Sequence, residues 1–90
     1  MIDHVNYVIC KLINKLDEII RWPKKPSDKE TIIKYLATKF ESNKKYTEKE
    51  INEIIDRHHL FNDIPLLRRE LVSRKCLERT NDGSKYWKIK

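Results

Sequence analysis

The chain offers few side chains able to carry out covalent chemistry. His58 and His59 are adjacent. On a helix their rings point about 100° apart, so they cannot chelate one ion as an i, i+4 pair does. His58 falls on an apolar stripe, which predicts a packed, hydrogen-bonded ring, whereas His59 is placed to meet the negative end of a helix dipole. Cys10 and Cys76 share no metal-type spacing and read as a polar-face thiol and a core-edge thiol. Gly83 is the only glycine, so there is no glycine-rich phosphate loop, and no Ser/His/Asp set stands at a recognisable spacing. These features rank an enzymatic reading well below a binding one. They predict no catalytic residue, no metal, no cofactor and no small-molecule substrate.

The chemistry that remains is cationic, and its centre is the stretch Asn62–Lys75, NDIPLLRRELVSRK. Asp63 can cap a helix there, with Pro65 in the first turn where a missing N–H costs nothing. Ile64, Leu67 and Leu71 share one helical stripe. At about 100° per residue Arg68 lies close to that stripe and Arg69 well off it, beside Leu66 and Ser73. A half-buried arginine needs partners, and Asn52, Asp56 and Asp63 are the nearby ones, so Arg68 is read as structural. Arg69 is read as available to a partner, or else as a solvated charge. Leu66 is either an unremarkable exposed leucine or a contact for a thymine methyl or a protein. Two strand-like runs follow, separated by Asn81-Asp82-Gly83-Ser84, in which Gly83 can supply a positive φ. Leu77 turns inward and Arg79 lies nearer the tip. Tyr86 and Trp87 must face opposite sides of the ribbon. One of them packs on the helices; the other either packs along the ribbon or joins Lys85 and Lys88 at a sugar-phosphate backbone.

Helices must hold this unit in place. Asp3–Arg21 reads as an amino-terminal helix, because Val5, Ile9, Leu12, Leu16 and Ile19 recur in steps of four and three. That arc either packs on the domain behind it or makes a homodimer. Trp22-Pro23-Lys24-Lys25-Pro26 breaks it, and Trp22 reads as a core plug. Ser27 and Glu30 form a capping box opening a second helix that runs to about Glu41. Its apolar face is Ile32, Ile33, Leu36, Ala37 and Phe40. Tyr46 suits a very short strand that pairs with the hairpin. Thr47 and Glu50 form a second box, opening a helix that ends near His59. Three short helices and a terminal hairpin are the layout of a winged helix.

Ninety residues make one domain, and 38% charged against 39% hydrophobic suits a small globular domain with a heavily charged surface. The net charge of +6 is unevenly spread. Residues 22–47 hold seven lysines against three acids, whereas 48–62 hold four acids against two bases. From 63 onward eight bases face four acids. Such a balance is compatible with a polyanionic partner. Charges interrupt the apolar run 2–20, which excludes a signal peptide core or a membrane span and predicts a cytoplasmic protein with reduced thiols.

From Trp22 onward the chain resembles a prokaryotic family catalogued as domain of unknown function 2087. Pro23, Lys25, Tyr46-Thr47-Glu48, Glu50-Ile51-Asn52, Asp63, the block Leu67–Val72 (LRRELV), Leu77, Arg79, Asp82-Gly83-Ser84 and Tyr86-Trp87 carry the likeness. Members of that family occur alone and attached to bacterial transcriptional regulators, which implies a winged-helix role in transcription. The resemblance brings no catalytic or ligand-binding residues with it.

The resulting expectation is a mainly helical α+β fold in a single domain, 1–90. It comprises an amino-terminal helix (1–21), a Trp-Pro linker (22–26) and a winged helix-turn-helix core (27–90) ending in a β-hairpin wing. The expected partner is duplex DNA. Asn62, Leu66, Arg69 and Ser73 of helix 62–75 enter the major groove, and Lys44, Lys45, Lys49, Lys85 and Lys88 contact phosphates. Arg68, Asp63 and Gly83 are structural. The alternative is a non-enzymatic protein-interaction module that uses the amino-terminal helix or the exposed face of helix 62–75.

Overall fold

The computed structural model describes residues 12–16 and 18–89. Among them the chain forms α1 (Pro26–Ala37), β1 (Lys45–Tyr46), α2 (Glu48–Arg57), α3 (Ile64–Ser73), β2 (Leu77–Arg79) and β3 (Tyr86–Lys88). This is a small, mainly helical α+β fold. Its antiparallel sheet has the order β1-β3-β2.

α2 and α3 start where a side chain satisfies a first-turn N–H group. Thr47 caps α2 through a reciprocal box: Glu50 N–H donates to Thr47 Oγ1 (3.1 Å), and Thr47 N–H donates to Glu50 Oε1 (2.8 Å). Asp63 caps α3 by accepting from Leu66 N–H at 3.2 Å. At α1 the expected Ser27–Glu30 box does not form. Lys25 takes the N-cap and Pro26 the first helical position, so Ser27 lies inside the helix and its carbonyl accepts from the Thr31 hydroxyl. Proline's fixed φ and absent N–H suit that first position, and they move the start upstream of the box. The helix also ends at Ala37, earlier than expected, in a turn that carries Phe40 into the core.

The helix expected over 3–21 lies outside the described residues for 3–11 and for 17. Its last part is not helical. Ile13 pairs antiparallel with Ile19, and Ile19 pairs parallel with His59. Asn14 causes the break: its Oδ1 accepts the N–H groups of Leu16 and Glu18, replacing helical acceptors with its own side chain. The arc is therefore split. Leu12 and Ile19 are fully buried, while Leu16 is 76% exposed.

The core joins Leu12 and Ile19 to Ile32, Ile33 and Leu36 of α1, Ile51 and Ile55 of α2, Leu67 and Leu71 of α3, and Leu77 and Tyr86 of the hairpin. Trp22 packs at its edge, with the Lys29 ammonium 5.7 Å from the ring centroid. Among the described residues the buried histidine is His59, where the helical stripe pointed to His58. Its Nδ1–H donates to Ile55 O (2.7 Å), and its Nε2 accepts Asp63 N–H (3.0 Å). The stripe misplaces the ring because α2 stops at Arg57 and the next residues turn in to meet Ile19.

Candidate functional site

The residues that could meet a partner are set by the joint between α3 and the hairpin. Lys75, at φ +65°, closes α3 with two backbone bonds: Lys75 N–H donates to Val72 O and Cys76 N–H donates to Leu71 O. This Schellman turn satisfies the last helical carbonyls and leads straight into β2. Strand alternation then decides which side chains look back at α3. β3 pairs Tyr86 with Arg79, Trp87 with Glu78 and Lys88 with Leu77. Leu77, Arg79, Tyr86 and Lys88 thus share the helix-facing side of the sheet, and Glu78 and Trp87 share the outer side. Across β1, Tyr46 lies opposite Tyr86 and Lys45 opposite Trp87, the very short pairing expected of Tyr46.

Between α3 and the hairpin lies a cleft of about 350 Å³. Arg68, Arg69 and Ser73 form its helix wall, Arg79 and Tyr86 its hairpin wall, and Glu48 the α2 end. Arg68 is the tethered arginine. Its Nη1 donates to Asn52 Oδ1 at 2.6 Å, and its Nε stands 3.6 Å from Glu48 Oε1. That same oxygen accepts from the Tyr86 hydroxyl at 3.4 Å. The Arg69 and Arg79 side chains belong to exposed residues and make no hydrogen bond or ion pair among the described residues. Glu70 lies outside the cleft and is held by Arg74 at 2.8 Å.

At the hairpin tip, Thr80 Oγ1–H and Ser84 N–H both donate to Asp82 Oδ1, at 2.7 and 3.0 Å. The Thr80 hydroxyl, followed by Ser84, brings the Asp82 carboxyl down from 3.8 to about 2. Gly83 sits at φ +73°, and a Cβ there would stand 3.1 Å from Arg79 Nη1. The positive φ is what calls for glycine in this turn, with the Arg79 guanidinium lying close against it.

The other expected contact residues fall around this cleft rather than in it. Asn62 is exposed at φ +54° just before α3, and Leu66 is half-buried. Lys49 is exposed in the first turn of α2. Lys44 lies beside Glu41 at 4.0 Å, with its ammonium 4.9 Å from the Tyr46 ring. The Thr47 N–H holds the Glu50 carboxyl below its usual range, with Lys44 and Lys85 adding to the effect, so these two lysines share one neighbourhood. Lys45 covers the half-buried Trp87 on the outer side of the sheet, at 5.9 Å. Lys88 is set apart from Trp87: it faces the helices, and its ammonium donates to Phe40 O at 3.4 Å. It lines a separate depression with Cys76, whose thiol burial pushes up in spite of nearby cations. A thiol held protonated in this way is a poor nucleophile. Among the described residues no group of His, Cys, Asp and Glu could hold a metal ion, and no helix is long and apolar enough to cross a membrane.

Sequence reasoning overlooked Arg79 as a cleft residue. The signal was its two-residue spacing from Leu77, which puts both side chains on one face of a strand. Glu48 was overlooked because its link to Tyr86 spans 38 residues.

No curated protein and no solved structure matches the chain. A family match does cover every element above, extending over residues 18–88. The cleft and the elements that build it are thus parts of a shared domain, and the chain belongs to the bacterial family described as "Uncharacterized protein conserved in bacteria (DUF2087)".

Proposed function

We propose that this domain is a winged-helix DNA-binding module of a bacterial transcriptional regulator, with α3 in the major groove and the hairpin as a wing on the backbone. The observation that carries the reading is the uncovered side of α3. Asn62, Arg69 and Ser73 are exposed along it with Leu66 half-exposed, and the hairpin stands directly beside it. The acids beside this surface are engaged within the fold: Asp63 caps α3, Glu70 pairs with Arg74 and Glu48 with Arg68. The surface thus keeps its cationic character, as a polyanion-binding face requires. Lys44, Lys45, Lys49 and Lys85 are exposed, Lys44 beside Glu41 and Lys45 over Trp87, whereas Lys88 is turned toward Phe40.

Titration with random-sequence duplex DNA at several salt concentrations tests the reading. Affinity should fall log-linearly with salt, with a slope of about −0.9 per phosphate contacted, and Lys85→Ala should flatten it by about one contact. Absence of binding at low salt rejects it. A protein-interaction module is the second reading. It is favoured by the exposed pair Ile20 and Leu60, brought side by side by the Ile19–His59 bridge.

A further inference from the structure

We infer that the cleft between α3 and the hairpin is a phosphate-binding site, in which Arg69 and Arg79 hold one phosphate group from opposite walls. Two consecutive elements, α3 and β2, folded back on each other by the turn at Lys75, bring these guanidinium groups to one cleft, and neither has an acidic partner among the described residues. Glu48 is the one acid in the lining, and Arg68 and Tyr86 both meet its Oε1. The cleft therefore carries three arginines against one committed glutamate, a field that attracts anions. Guanidinium groups present paired N–H donors whose spacing matches two oxygens of a phosphate, a geometry that lysine lacks. Ser73 adds a hydroxyl on the helix wall. The assignment rests on the duplex-binding proposal for its ligand, a backbone phosphodiester. A free phosphate compound offers the same chemistry, and the experiment separates the two sources.

The full chain and its Arg69→Gln, Arg79→Gln, double and Arg79→Lys variants are titrated with random duplex across a salt series. The wild type is also titrated with inorganic pyrophosphate while the arginine Nε–Hε resonances are followed. Each single glutamine variant should weaken duplex binding about tenfold or more. The double variant should flatten the salt slope by about 0.9, one phosphate. Arg79→Lys should keep the slope and recover part of the affinity, and melting temperatures should not move, because both side chains are exposed. Pyrophosphate should shift the Arg69 and Arg79 signals together. If duplex binds and the double variant leaves affinity and slope unchanged, the cleft assignment falls and the duplex-binding proposal stands. If no duplex binds but pyrophosphate shifts both signals, the site stands with a free phosphate as its ligand and the duplex-binding proposal falls. If neither ligand acts on the two arginines, the assignment falls.

Discussion

Arg68→Ala should destabilise the fold, and Arg69→Ala, one residue on, should not. The Arg68 side chain is 24% exposed and spans from α3 to α2, through a 2.6 Å bond to Asn52 and a 3.6 Å contact with Glu48. A hydrogen bond from a charged donor contributes roughly 1.5–3 kcal/mol, and leaving Asn52 without its donor adds part of a desolvation penalty. The Glu48 contact contributes less, because Glu48 is 52% exposed and its charge is screened. Loss of the alkyl stem removes packing as well. Together these give about 2 kcal/mol for Arg68→Ala, against less than about 0.5 kcal/mol for the exposed Arg69. In a domain of this size about 2 kcal/mol lowers the melting temperature by roughly 8–16 °C. Urea denaturation is the assay, since urea leaves the ion pair unscreened. Both variants should keep the wild-type m-value, and only Arg68→Ala should move the midpoint. An Arg68→Ala/Asn52→Ala cycle isolates the bond itself, with a coupling of about 1 kcal/mol or more expected. Equal midpoints for the two single variants, or a coupling near zero, refute the assignment of Arg68 as the strut between α2 and α3.

Lys75→Gly should stabilise the protein. A left-handed residue other than glycine costs roughly 1–2 kcal/mol and glycine's extra unfolded freedom returns roughly 0.5–1, leaving a gain of about 0.5–1 kcal/mol that thermal unfolding will register. Asp82 ties stability to acid. Its carboxyl is lowered from 3.8 to about 2 by Thr80 and Ser84, so the hairpin turn is supported above pH 4 and loses that support as pH falls toward 2. Amide shifts of Ser84 followed across that range should move in the wild type and stay flat in Asp82→Ala.

What the sequence made legible was the local chemistry. Thr47 and Glu50 stand three residues apart and close their box with no help from the rest of the chain. Asp63, with Pro65 two residues on, starts α3 in the same way. Ser27 and Glu30 have the same spacing, yet Pro26 beside them claims the helix start, so one local signal overrode another. The apolar periodicity of Leu12, Leu16 and Ile19 was misleading because a periodic count ignores hydrogen bonding. The amide of Asn14 caps the chain into a turn and leaves Leu16 in water. The burial of His59 depends on a pairing with Ile19, 40 residues earlier, that no window around His59 contains. The cleft was half legible. The angle of Arg69 to the α3 stripe could be counted, but Arg79 reaches the same cleft only because the Schellman turn folds β2 back along α3.

That turn has a consequence for how fast and how tightly the cleft can act. Three residues, Arg74 to Cys76, separate α3 from β2, and both backbone bonds of the turn are inside the joint. These bonds, with Leu77 and Leu71 buried in one core, tie the start of the hairpin to the end of α3. A cleft whose backbone is assembled before its ligand arrives loses little backbone entropy on binding, so the ordering cost falls on the Arg69 and Arg79 side chains, and encounter needs no closing of the hairpin. Association should then proceed at a rate set by diffusion and charge, with differences among ligands recorded almost entirely in how slowly they leave.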